Sequence, residues 1–237
     1  MPEAAVPVVQ LLGVTKDYHG LRPLRIRELT LHAGRSLALL GLDAAMAGVL
    51  VDLLTAGSRP DTGDVLVFGE STSVVTDRER WLAVLDRFGL ISERGVMLEQ
   101  LTAEQNLAIP LSLAVETMSA ELRAAVRRLA DEVRIPAGRL AERLGELPAS
   151  LKLRVRLGRA LALDPQVLLA EHPNAAMSPD EAQAFAKDVS NIAGLRRMAT
   201  LTCTADRRFA HAIAEQVLVL QPASGELKAA ASWRRWI

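Results

Sequence analysis

Aromatic side chains are scarce, at 3% of 237 residues, and there is a single tyrosine, Tyr18. The lone cysteine, Cys203, excludes an internal disulfide framework and every multi-cysteine zinc pattern. It suits a reducing compartment. An excess of one charge is also missing. With 28 basic and 28 acidic side chains, the chain has no general electrostatic pull toward nucleic acid or an anionic membrane. No apolar run approaches the roughly 20 residues that span a bilayer, and the richest one, Val49 to Leu54, is broken by Asp52. The start, MPEAAVPVVQLLGV, carries acidic Glu3 where a secretory signal needs basic residues. The expectations are therefore no nucleic-acid partner, no direct membrane span, and work at a membrane only through a partner.

What is present is an apolar half, enough for one well-buried core with a smaller lobe attached. Val8 to Val14 reads as a strand, and Leu24 to Leu31 alternates apolar and basic residues as a half-buried edge strand does. SLALLG is a continuous apolar run ending in Gly41, which suits a strand buried on both faces. Met46, Val49, Leu50, Leu53 and Leu54 then fall on one helical face, with Asp43 as N-cap and Gly57 as the terminator. VLVFG reads as a strand and Thr76 to Phe88 as a capped helix. From about Thr102 to Arg159, Leu, Ala, Arg and Glu recur at helical spacing. Strand-like runs return at VLLA, ATLTCT and QVLVL, separated by helices near 179–192 and 209–214. Apolar strands alternating with helices predict a mostly parallel sheet covered on both faces.

Several phrases, in order, resemble the ATP-binding subunits of ABC transporters across essentially the whole chain. GVTKDYHG resembles the opening loop whose aromatic stacks on adenine, with Tyr18 in that place. HAGRSLALLG resembles the strand into the phosphate loop, and TAGSRPDTGDVLVFGEST the stretch after that loop's helix. LTAEQNLAIPLSL resembles the segment beyond the Q-loop, and LKLRVRLGRALALDPQVLLAEHP the run from the signature to Walker B. The resemblance implies an α/β fold: a P-loop NTPase-like, mostly parallel sheet with flanking helices, an N-terminal antiparallel β portion and an inserted helical subdomain. It implies one ABC ATPase-like domain over 1–237, with 1–95 and 160–237 as the α/β core and 96–159 as the helical subdomain.

The residues at the motif positions depart from the family. A phosphate loop needs glycines so that backbone N–H groups can wrap phosphate, a lysine for charge, and a hydroxyl for Mg²⁺. Here GLDAAMAGV keeps only Gly41, with Ala44 and Met46 at the inner glycines, Ala47 at the lysine and Gly48 at the hydroxyl. Asp43 places a negative charge at the helix start. Glu171 stands for the Walker B aspartate and His172 for the glutamate that positions water. Glu93 stands for the Q-loop glutamine, LPASL for the signature, Ser178 for the aspartate after Walker B, and Ala205 for the switch histidine.

Losing one preorganised donor typically costs about 10²–10³ in rate, and phosphoryl transfer rests on such positioning. The expectation is a pseudo-ATPase with no catalytic residues, Glu171 and His172 merely occupying Walker B. Tyr18 remains as a stacking position and Gly41 as a vestige of the loop. ATP and Mg²⁺ are not expected as cofactors. The resemblance implies a cytoplasmic protein, peripheral at the inner face of the membrane, and a partner that is a membrane permease or other transporter subunit. Glu93, Met97, Leu98 and Leu101 are the docking candidates. Homo- or hetero-dimers are possible, but head-to-tail pairing with an intact subunit would spoil both composite sites, because this chain lacks both phosphate loop and signature. The alternatives are an ATPase of altered chemistry using Tyr18, Glu171 and His172, or a soluble interaction module. Lys152, Arg156 and Arg159 share a helical face read as solvated, and Trp233 and Trp236 as folding back onto the domain.

Overall fold

Local pattern and long-range pairing agree through most of the chain. The computed structural model describes residues 6–75 and 77–230; Trp233 and Trp236 lie outside them. The N-terminal strands β1 (Pro7–Lys16), β2 (Leu24–His32), β4 (Thr62–Val67) and β5 (Glu70–Ser71) form an antiparallel sheet in the order β2-β1-β4-β5. The second sheet is built on β3 (Ser36–Leu40), β6 (Phe88–Ile91), β7 (Val167–Glu171), β8 (Ala199–Cys203) and β9 (Gln216–Gln221), which all run parallel. A final strand, β10 (Glu226–Ala229), pairs antiparallel at the edge, giving the order β10-β9-β3-β8-β7-β6.

Both faces of the parallel sheet are covered, as its unbroken apolar strands require. Leu37 and Leu39 of β3, with Val167 and Leu169 of β7, face a core shared with the antiparallel sheet and α1 (Ala44–Leu54). Ala38, Leu40, Leu168 and Ala170 face the opposite core. That core holds residues of α3 (Ala103–Ala108), α4 (Ala120–Glu132), α5 (Ala149–Leu161), α6 (Pro179–Arg196) and α7 (Arg207–Ile213). Cys203 is fully buried beside Glu171, and burial pushes its thiol up to about 12. A thiol so buried and kept protonated is an unreactive packing group.

Two details differ from the sequence reading. The first helix ends at Leu54, and its left-handed residue is Ala56 rather than Gly57. The second helix, α2 (Arg78–Leu85), is shorter than Thr76 to Phe88, because the sheet takes Phe88 to Ile91 as β6 beside β7. Periodicity could not separate these, since a four-residue apolar strand offers almost no period to read.

The segment between β6 and β7 is tied to α6 by ion pairs. Arg154 of α5 donates to Asp188 at 2.8 Å and to the carbonyl of Val133. Arg134 reaches the other oxygen of Asp188 at 3.1 Å. Arg196 makes a bidentate pair with Glu132 at 2.7 and 2.6 Å. Asp188 is 5% exposed, so removing it strands Arg154 without its partner. Asp188→Ala is expected to lower stability by about 3–5 kcal/mol, read as a fall in midpoint on chemical denaturation; a loss near zero would mean that water replaces the carboxylate.

Candidate functional site

Parallel strands bring their C-terminal ends to one edge, and chemistry in such sheets gathers there. At this edge β3 runs into the Gly41–Asp43 turn, β6 into Ser92–Arg94, and β7 into Glu171 and His172. Gly41 has φ of +89°, and a Cβ there would come within 3.0 Å of the carbonyl oxygen of Leu220. Glycine is therefore required by the close approach of β9, whatever the loop binds. Asp43 caps α1, its carboxylate accepting from the N–H of Met46 at 2.8 Å. Ala47 is fully buried and Met46 is 8% exposed. Tyr18 is half-buried, folded over Gly20. Burial first, then the charge of Asp43, raises its hydroxyl above the ordinary range.

The centre of the site is an ion-pair cluster that sequence reasoning missed. Glu171 is 8% exposed. Its carboxylate accepts from Ser92 Oγ at 2.5 Å and from Arg94 Nη2 and Nε at 2.6 and 3.3 Å. Arg94 Nη1 donates to Asp52 of α1 at 2.9 Å, and Nη2 also reaches the carbonyl of Gly48 at 3.3 Å. These bonds raise the guanidinium pKa, the Glu171 bond most, so it is permanently charged. No sequence signal linked Arg94 to Glu171, because 77 residues separate them.

His172 follows Glu171 in left-handed conformation, φ +43°. Its Nε2 is buried without a hydrogen-bond partner among the described residues. With Glu93, Lys152, Arg156 and Met177 it lines a cavity of about 150 Å³ between β6, β7 and α5. Glu93 itself is exposed. The LPASL stretch enters α5 through Pro148, which supplies no side-chain cap. Ser178 caps α6 in a reciprocal box with Glu181. Ala205 precedes Asp206, the cap of α7, which is bonded in turn to Asn174.

The expected basic stripe is not a solvated face. Lys152 pairs with Glu99 at 3.4 Å, and Arg159 donates to the carbonyl of Val96 at 2.8 Å and lies on the sulfur of Met97. Arg156 is half-buried, which lowers its pKa against the opposing charge of Glu93. Lys152 and Arg159 thus hold the 93–101 segment, while Arg156 Nη1 is buried without a hydrogen-bond partner among the described residues. Met97, Leu98 and Leu101 are half-buried in consequence, while Val96 is 73% exposed. Leu98 is further pinned through both backbone groups by the amide of Asn106.

Comparison with known proteins places this edge in context. The chain is 30% identical over 194 residues to the lipoprotein-releasing system ATP-binding protein LolD of Psychrobacter arcticus, covering 82% of this chain and 85% of that one. The chain belongs to the ABC transporter ATP-binding subunits. It is 27% identical over 220 residues to the methionine import ATP-binding protein MetN of Brucella abortus, and spans 58% of that relative's length. No family model matches. Among solved structures, cbiO1 from Clostridium perfringens, part of an ABC transporter complex, superposes with a TM-score of 0.78 at 15% identity, over 94% of this chain and 87% of that one. A dimeric bacterial ABC transporter cassette superposes at 0.76 and 19% identity, over 93% of this chain and 96% of that one. These likenesses establish the expected fold. Membership agrees with the partner class and peripheral placement expected from the sequence, and no described helix is long and apolar enough to cross a membrane.

The expectation that ATP and Mg²⁺ are not cofactors is corrected by these relatives. They are ATP-binding proteins by name, and one similar structure is a cassette bound to ADP and phosphate. The physical reason for the error is specific. The expectation rested on Ala47 and its neighbours taken one at a time, whereas relatives 27–30% identical over most of this chain are ATP-binding proteins by name. The cation that reaches this turn, Arg94, comes from another loop and is paired with Glu171 and Asp52. At the start of α1 the N–H of Met46 is engaged by Asp43. Asp43→Ala is expected to lower stability by about 0.5–2 kcal/mol as the cap is lost, measured by denaturant midpoint; a stabilised variant would show that Asp43 is held at a cost for another purpose.

Proposed function

We propose that this ABC transporter subunit has given up ATP hydrolysis and acts as a structural or regulatory partner of a membrane permease. The observation that carries the reading is the replacement of the hydrolytic groups by structural ones: Glu171 is engaged by Arg94 and Ser92, and Ala205 stands at the switch histidine. Phosphoryl transfer depends on preorganised charge around the γ-phosphate, and losing single donors of that kind costs about 10²–10³ each in rate. Phosphate release by the purified chain with its permease is expected to match a protein-free blank, with nucleotide binding followed separately. Turnover that His172→Ala abolishes would instead favour the second reading, an ATPase of altered chemistry. The unpartnered Nε2 of His172 is the feature that speaks for that alternative.

We further assign the chain a single-domain plan, with 96–159 as a helical lobe between 1–95 and 160–237. The ion pairs from α4 and α5 to α6 support a lobe clamped on its core. Docking is assigned to the segment Glu93 to Leu101. A groove of about 250 Å³ beside it is lined by Leu90, Val96, Met97, Pro110 and Leu163, of which Leu90, Val96 and Leu163 are exposed. An apolar groove held by Arg159 suits the apolar face of a short permease helix. Val96→Glu is expected to reduce recovery of the permease on co-purification at least tenfold with the fold unchanged by circular dichroism; undiminished recovery would move the docking surface elsewhere.

A further inference from the structure

A feature of the site reaches beyond the question of hydrolysis. In this family the hydroxyl position of the phosphate loop and the Walker B carboxylate are the protein groups that face Mg²⁺. Here those positions are Gly48 and Glu171, and between them lies the guanidinium of Arg94. Its Nη2 bonds both, at 3.3 Å to the carbonyl of Gly48 and 2.6 Å to Glu171. Gly48 makes room for it, because a Cβ there would stand 3.3 Å from Cζ of Arg94, tighter than an ordinary contact. Asp52, one turn along α1, accepts Nη1. Ser92 Oγ donates to Glu171 and accepts the backbone N–H of Arg94, so the residue is held at both ends. The carboxylates that face the guanidinium are Glu171 and Asp52, and both are committed to it.

We propose that Arg94 is a tethered cation seated where a divalent ion would meet Glu171, so that metal reaches this carboxylate only when Arg94 withdraws. A guanidinium and a divalent ion repel each other, and they compete for the same oxygens of Glu171. The arrangement makes metal affinity at Glu171 adjustable by the position of one side chain. That side chain belongs to the β6–α3 loop, whose next residues, Val96 and Met97, are gripped by Arg159. A partner that shifts this loop therefore changes access to Glu171.

The test uses the full chain and Mn²⁺ alone, without nucleotide, so it is independent of turnover. Free Mn²⁺ is titrated by electron paramagnetic resonance against the parent chain, Arg94→Gln, and the double variant Arg94→Gln with Glu171→Gln. Arg94→Gln is expected to bind one Mn²⁺ at least tenfold more tightly than the parent, and the double variant to lose that gain. Gly48→Ala, which crowds the guanidinium while keeping the charge, is expected to shift affinity in the same direction and serves if Arg94→Gln fails to fold. Equal or weaker Mn²⁺ binding in the folded variants, or a gain that survives loss of the Glu171 carboxylate, overturns the proposal.

Discussion

A carboxylate at the end of a central strand, shielded from water on nearly all sides, has to be neutralised. Glu171 meets that constraint at the C-terminal end of β7, where every residue of the strand is buried. An uncompensated charge there would be strongly unfavourable, and the compensation comes from Arg94 and Ser92 on the adjoining loop. The consequences spread outward. The same guanidinium reaches α1 through Asp52 and Gly48, so one side chain links α1, the loop after β6 and β7.

Around this centre the family's scaffold persists, and the side chains at its edge have structural contacts of their own. Gly41 stays because β9 passes too close for a side chain. Asp43 closes the helix start by taking up one of its free N–H groups. Ser178, read at the position of the family's aspartate, caps a helix, and Asp206, next to Ala205, caps another. A shared fold does not by itself settle the chemistry of the site built on it. Family membership therefore speaks for the architecture, the nucleotide as ligand class and the permease as partner class; the chemistry has to be read from side chains.

Much of the fold was legible from local pattern. The double-faced burial of β3 and β7 follows from their unbroken apolar runs, and Asp43 was readable as a cap because its bond spans three residues. β6 was not legible, since its few residues gain strand character only by lying beside β7. The basic stripe of α5 was misread for a related reason. Periodicity says which side chains share a face, but it cannot say that the face lies against the 93–101 segment, where Arg159 and Lys152 find their partners.

By itself, the sequence determined the alternation of strands and helices, the caps, and the family whose ordered phrases it carries. These are properties of neighbours along the chain or of ordered motifs, and they need no folded partner to be read. The tertiary structure alone decided which carboxylates Arg94 meets. Arg94 meets Asp52 and Glu171 across 42 and 77 residues, and a contact of that span exists only once parallel strands have brought their ends to a common edge.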